Sequence, residues 1–348
     1  MIAKRLERAR KAAGLSLRAL ADIVGVSQTT ISKYEKEQAT PNSTMLLKLA
    51  KALNVKTEFF FRTDHFVLEN KEYRKRSISN IELKSIESKT LNLLEKRFEL
   101  EGLYPNAISE HFAVPDNLPD EISYLYEIDN VAMKVRQVWS LGEEDPISDF
   151  PDVLEEHGIK IFMIDENANN NFDGLAATVN DYHIIVISKN WPGDRQRFTL
   201  AHELGHLMLE GRLNSKIDEE KASDRFAGAF LLPDEALKKR LGNQRRSLEI
   251  AELALIKKEY GVSMQVVFIR ANQVKIIDYN CSSKLWKQFK KEGWDKKEPG
   301  EQYPSEVLYA FKQHVLRALS EEYIGESKAA EFLDMSVKKF HNFRLTGK

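Results

Sequence analysis

The chain has 348 residues, 42% apolar and 30% charged, which is enough for packed cores under a charged surface and suggests two or three domains. No apolar run approaches the ~18–20 residues of a membrane helix. The basic start MIAKRLERARKAAGLS lacks the apolar core of a secretion signal, so a cytoplasmic protein is expected. A single cysteine, Cys281, excludes an intramolecular disulfide, and any metal site must be built from histidines and carboxylates. The net charge of −1 hides an asymmetry: residues 1–62 carry 12 Lys+Arg against 5 Asp+Glu, the remainder 40 against 48. A basic head on an acidic body is expected to meet a polyanion through the head.

Residues 2–61 read as five short helices. They run from Arg5 to Ala12, Leu17 to Val24, Ser27 to about Tyr34, Thr44 to Leu53, and through a last turn at 57–61. Gly14 and Gly25 end the first two, and Ser16 and Ser27 cap the second and third. Leu6, Leu20, Ala21, Ile31, Leu49 and Leu53 recur at helical spacing and can close one small core. Ala21 is small where two helices cross, and Gly25 permits the positive φ of the turn. The outer face of the third helix offers Gln28, Thr29, Ser32 and Lys33, polar groups able to reach base edges or phosphates of double-stranded DNA. Residues 1–61 resemble the repressor-type (XRE) helix-turn-helix family. The resemblance implies an Arg10–Glu35 salt bridge bracing the recognition helix and a dimer on a palindromic site. Leu17 stands where the family often has a phosphate-contacting glutamine.

Residues 63–79, with Lys-Glu-Tyr-Arg-Lys-Arg at 71–76, read as a charged, solvated connector. Ile81, Ile86, Leu93, Leu94 and Phe98 mark a helix ending at Gly102. Further helices are expected from Leu118 to Trp139 and from Pro146 to His157. Strands follow at Ile159–Ile164, Leu175–Val179 and Tyr182–Ser188, the last two joined by an Asn180-Asp181 hairpin turn. By analogy with zinc peptidases, the third strand is expected to offer a free edge to an extended peptide. Tyr182 and His183 are taken as ordinary strand residues.

His-Glu-Leu-Gly-His at 202–206 carries the chemistry. Positions i and i+4 of a helix share a face, so His202 and His206 can bind one Zn2+. Glu203 lies beside that face, where it can take a proton from the metal's water. The helix is expected over Arg195–Leu209, capped by Asp194, and Gly205 should admit another backbone or the substrate. A third ligand is needed. The next helix, opening at Glu219 and stopped by Pro233, offers Glu220, with Asp224 one turn on as hydrogen-bond partner for a ligating histidine. Glu219 and Asp224 are rival ligands.

The blocks 195–206 and 222–233 resemble the ImmA/IrrE-type metallopeptidase family, with the resemblance spanning roughly 120–280. Fusions of that domain to a repressor-type head are common, and several relatives cleave a DNA-bound repressor. Beyond Pro233, helices at 248–260 and 266–271 flank Gly-Val-Ser (261–263). That cadence returns at 327–336, and both stretches are read as helical hairpins completing a core. Residues 281–305 are read as a loop-bearing surface.

The expected protein is mainly α with a small β-sheet, an α+β chain. It comprises an all-α helix-turn-helix domain (1–62), a charged connector and linker helix (63–119), a zincin-like metallopeptidase domain (120–280) and a helical C-terminal lobe (281–348). It is expected to bind DNA as a homodimer and to cut a regulatory protein with zinc in a stress, phage or mobile-element response. The competing reading is a non-proteolytic repressor or antitoxin-like protein whose metal domain senses or scaffolds. A third is self-cleavage within about 62–80, detaching the head.

Overall fold

The computed structural model describes residues 2–62, 66–75, 78–106, 111–165 and 172–347. Arg76 of the connector, and 63–65 and 76–77 of the candidate self-cleavage stretch, lie outside the described residues.

The head folds as its caps dictate. Helices α1 (Ile2–Ala12), α2 (Leu17–Val24), α3 (Gln28–Glu35) and α4 (Ser43–Ala52) precede a 3-10 turn at Thr57–Phe61. The Ser16 and Ser27 side chains accept from the backbone N–H groups of Ala19 and Thr30, satisfying donors left free at a helix start. Asn42 does the same for Met45. Gly25 adopts φ +76, the left-handed conformation that lets the chain reverse into α3. Leu6, Leu20, Ala21, Ile31, Leu49 and Phe60 are buried together.

The connector is not simply solvated chain. Glu69–Lys75 forms a strand, β1, and Asn80–Glu101 a 22-residue helix, α5. A capping box between Ser79 and Glu82 starts α5, and Gly102 follows its end. Three bodies meet on α5. Its Glu95 accepts hydrogen bonds from Arg5 and Arg8 of the head. Arg97 pairs with Glu155, and Glu101 with Lys160, both from the sheet-bearing body. Leu100 and Tyr104 share a core with Val315, Phe332 and Phe340 of the C-terminal lobe.

The sheet contains β1, β2 (Ile159–Ile164), β3 (Phe172–Val179) and β4 (Tyr182–Ser188), in the order β1-β3-β4-β2. The pairs β1–β3 and β3–β4 are antiparallel, and β2–β4 is parallel. Asn180 and Asp181 make the hairpin with φ +47 and +65, the positive pair a two-residue turn needs. The order corrects one expectation: β4 is paired on both sides and has no free edge. One face of the sheet packs on α5 through Phe162, Leu175 and Val186 among others, and the other packs on helices through Ile161, Ile185 and Ile187.

Two helices are shorter than expected. α6 spans Ile128–Val138 after a 3-10 turn at Leu125–Glu127, because Ile122 is drawn into a bridge with Leu213. α7 spans Phe150–Glu156. The metal-motif helix α8 (Gly193–Leu209) and α9 (Glu219–Leu231) follow the sheet. After them come α10 (Asp234–Leu241), α11 (Ile250–Tyr260), α12 (Met264–Gln273) and α13 (Tyr279–Glu292). Residues 279–292 are thus helical, correcting the loop reading of 281–305. Cys281, Leu285 and Phe289 drive α13 onto the core. The extended stretch after it also reaches inward: buried Glu298 accepts from Lys257 and from the first free N–H groups of α12. The lobe ends in α14 (Ala310–Ser320), α15 (Glu326–Phe332) and α16 (Val337–Thr346).

Candidate metal centre

α8 runs beneath the sheet, with Leu200, Ala201, Leu204 and Met208 fully buried. Its start differs from expectation. Asp194 is not the cap but its second residue, buried and 2.9 Å from Lys257 Nζ, while Pro192 occupies the cap position. The helix crosses α9 at Gly205. A Cβ there would lie 3.1 Å from Ser223 Cα and 3.2 Å from Phe226, so glycine allows the two backbones to touch. This contact sets α9 alongside the histidines.

His202 Nε2 and His206 Nε2 lie 3.0 Å apart. Glu220 reaches both, its carboxylate oxygens 3.4 Å from His202 Nε2 and 3.5 Å from His206 Nε2. Ligands at ~2.0–2.1 Å in tetrahedral array sit roughly 3.3 Å from one another, so this donor set fits a zinc-sized ion. The outward nitrogens are engaged as well. His202 Nδ1 is 2.8 Å from Asp224 Oδ1, and His206 Nδ1 is 3.2 Å from Glu219 Oε1. Such contacts fix ring orientation and keep the proton on Nδ1, turning Nε2 toward the common centre. Glu219, a rival ligand by sequence, thus lies on the far side of His206. Its spacing from His206 across the α8–α9 loop carried no signal of that contact. Glu203 is 3% exposed. It points toward β3, where a Cβ on Gly174 would stand 4.0 Å from its Oε1.

The centre opens into a cleft whose walls include Ala176 and Thr178 of β3, His183 of β4, Glu210 just after α8, and Asn70 and Glu72 of β1. Burial pushes the His183 imidazole below its ordinary pKa, favouring the neutral ring, with Glu210 opposing weakly. Tyr182 faces the other side of the sheet, stacked on His111 with Lys160 Nζ 4.3 Å from its ring centre.

In the head, Gln28, Thr29 and Lys33 are exposed along α3 and Ser32 is half-buried beside them. Arg10 donates to Glu35 from Nε at 2.6 Å and Nη2 at 2.9 Å, the fork-shaped pair expected to brace α3. The intermediate burial of Leu17 reflects its packing on the head core.

Comparison with known proteins agrees with both halves. Residues 6–60 match the helix-turn-helix family model, and residues 154–272 match the IrrE N-terminal-like domain of peptidase family M78. A 65-residue stretch, 19% of this chain, is 34% identical to an SPbeta prophage-derived uncharacterized HTH-type transcriptional regulator, YonR, of Bacillus subtilis (strain 168). That stretch covers 60% of the relative's own length. Among the described residues, no helix is long and apolar enough to cross a membrane. The chain thus joins a segment similar to the helix-turn-helix family, residues 6–60, to one similar to the IrrE N-terminal-like domain of the M78 family, residues 154–272.

Proposed function

We infer that this protein is a DNA-binding regulator carrying a zinc-dependent endopeptidase, and that it cuts an extended segment of another regulatory protein. The observation that carries the reading is the convergence of His202, His206 and Glu220, whose ligand atoms lie within 4.8 Å of one another beside buried Glu203. An ion bound by these three residues supplies Lewis acidity to a water and to the scissile carbonyl. Glu203 accepts the water's proton and returns it to the leaving amine. Asp224 and Glu219 hold the two imidazoles so that neither ring turns from the centre. Residues 1–62 hold the enzyme on DNA through Gln28, Thr29, Ser32 and Lys33, as a homodimer on a palindromic site. Residues 120–280, extended by the α13 helix and the buried strap at Glu298, form the peptidase body, and 310–347 the C-terminal lobe.

A pure scaffold needs no carboxylate buried next to the ligands, which favours the enzymatic reading over a metal sensor. Glu203→Gln should retain stoichiometric zinc by elemental analysis and lose cleavage of a protein substrate by at least a hundredfold. Undiminished turnover by that variant would sink the mechanism. Lys33→Ala should weaken operator binding and flatten its salt dependence, as loss of one phosphate contact requires.

A further inference from the structure

The connector strand β1 lies where a peptide substrate would have to bind. β3 lies against the catalytic glutamate at Gly174, and one of its edges is occupied by β4. The remaining edge of β3 is the one line along which an extended segment can add its backbone hydrogen bonds beside Glu203. β1 takes that line, antiparallel to β3, with Glu72 opposite Ala176 and Arg74 opposite Gly174. Its Asn70 and Glu72 share the cleft with Glu203 and His206.

β1 is a weak strand by its composition. Glu-Asn-Lys-Glu-Tyr-Arg-Lys offers one large apolar group, Tyr73, where the β2–β4 pair is mostly apolar and in continuous register. The β1–β3 register is broken between Glu69 and Glu72 and again between Arg74 and Lys75. Asn70 sits at φ +46 in the first break. Side-chain contacts of Asn70, Lys71 and Tyr73 supplement the backbone pairing. Tyr73 donates its hydroxyl to Glu87 of α5, Lys71 Nζ lies 2.7 Å from the same carboxylate, and Asn70 Nδ2 donates to Thr178 Oγ1 at 3.0 Å. The strand follows the head in the chain, and the head is seated on the same α5 helix through Glu95.

We propose that β1 is an internal occupant of the substrate-binding edge: residues 69–75 hold the cleft closed, and a substrate segment enters by replacing them as the strand paired to β3. The proposal rests on the reading of residues 202–224 as a peptidase site. Because β1 is covalently continuous with the DNA-binding head, head movement on DNA or on a partner is the event that frees the edge.

The test uses the zinc-loaded full chain carrying Glu203→Gln and a fluorescein-labelled peptide of residues 68–75. Tyr73→Pro removes a backbone donor and the Glu87 anchor, and should raise peptide affinity at least tenfold by fluorescence anisotropy. A Glu72→Cys/Ala176→Cys disulfide joins residues directly opposite in the ladder, and should abolish binding until reductant is added. The reversible lock decides the matter even if Tyr73→Pro fails to fold. Equal peptide affinity in the locked and reduced chains overturns the proposal. So does a zinc-dependent cut within 69–75 by the chain with Glu203 intact, since the segment would then be a substrate. If the locked and reduced chains differ in binding but the released chain with intact Glu203 cleaves no peptide, strand exchange stands and the peptidase reading fails.

Discussion

Arg5 in α1 and Glu95 in α5 form an ion pair, 2% and 4% exposed, with Nη1 2.5 Å from one carboxylate oxygen and 2.7 Å from the other. Arg8 adds a second cation to the same carboxylate at 2.5 Å. Burial draws the Arg8 guanidinium below its ordinary pKa, and Glu95 opposes that shift. The DNA-binding head is therefore docked on α5 through a desolvated charge cluster. Removing one partner strands the other, at a cost of about 3–5 kcal/mol. Glu95→Gln should lower the unfolding midpoint or, if the head undocks first, produce a separate early transition. Calorimetry on the full chain distinguishes the two, and an unchanged single transition would show the pair to be inert.

Asp224 and Glu219 touch different histidines at different distances, 2.8 Å and 3.2 Å, and His202 is more buried than His206. Asp224→Ala should weaken zinc affinity by about 10–100-fold, the usual range for such partners. Glu219→Ala should do less, because His206 can turn its Nδ1 toward water. Competition with a chromogenic chelator gives both numbers, and a reversed order would refute the assignment of the two contacts.

Gly205 sits where α8 and α9 touch, and an added methyl would press on Ser223 and Phe226 at 3.1–3.2 Å. Gly205→Ala gains about 1 kcal/mol of helix propensity. It must also displace α9 by a few tenths of an ångström, carrying Glu220 with it. The expected result is a chain near wild-type stability whose zinc affinity falls several-fold. Gly205→Val should not fold. Full zinc affinity in Gly205→Ala would show that α9 can yield without moving its carboxylate.

His314 is half-buried under Tyr104, its Nδ1 without a hydrogen-bond partner. Burial lowers its pKa from the ordinary 6.5 to about 4, and the nearby Arg97 cation adds to the effect. Between these values the unfolded chain binds a proton that the native lobe rejects. Stability is therefore full above about pH 6.5, falls as pH drops, and levels off below about 4. His314→Leu should remove this part of the acid sensitivity. Urea melts of both chains at pH 7.5 and 5 measure it, and equal pH dependence would exclude His314 as the cause.

Much of this protein was legible in its sequence because the signals are local. The caps at Ser16 and Ser27, the Asn180-Asp181 turn, and the His202–His206 spacing each act within a few residues, and the structure places them as read. The choice among Glu219, Glu220 and Asp224 was open in the sequence because all three lie within six positions at one helix start. In the structure α9 crosses α8 at Gly205 with a rotation that brings the Glu220 carboxylate within 3.4–3.5 Å of both Nε2 atoms. The strand at 69–75 was hidden for a related reason. A charged segment has no alternation to reveal it, and it becomes a strand only because β3 presents an edge with unmet hydrogen bonds about a hundred residues away. Local periodicity determines which elements can form. Which element meets which, and so what shares the cleft with Glu203, is decided by contacts between residues remote in the chain.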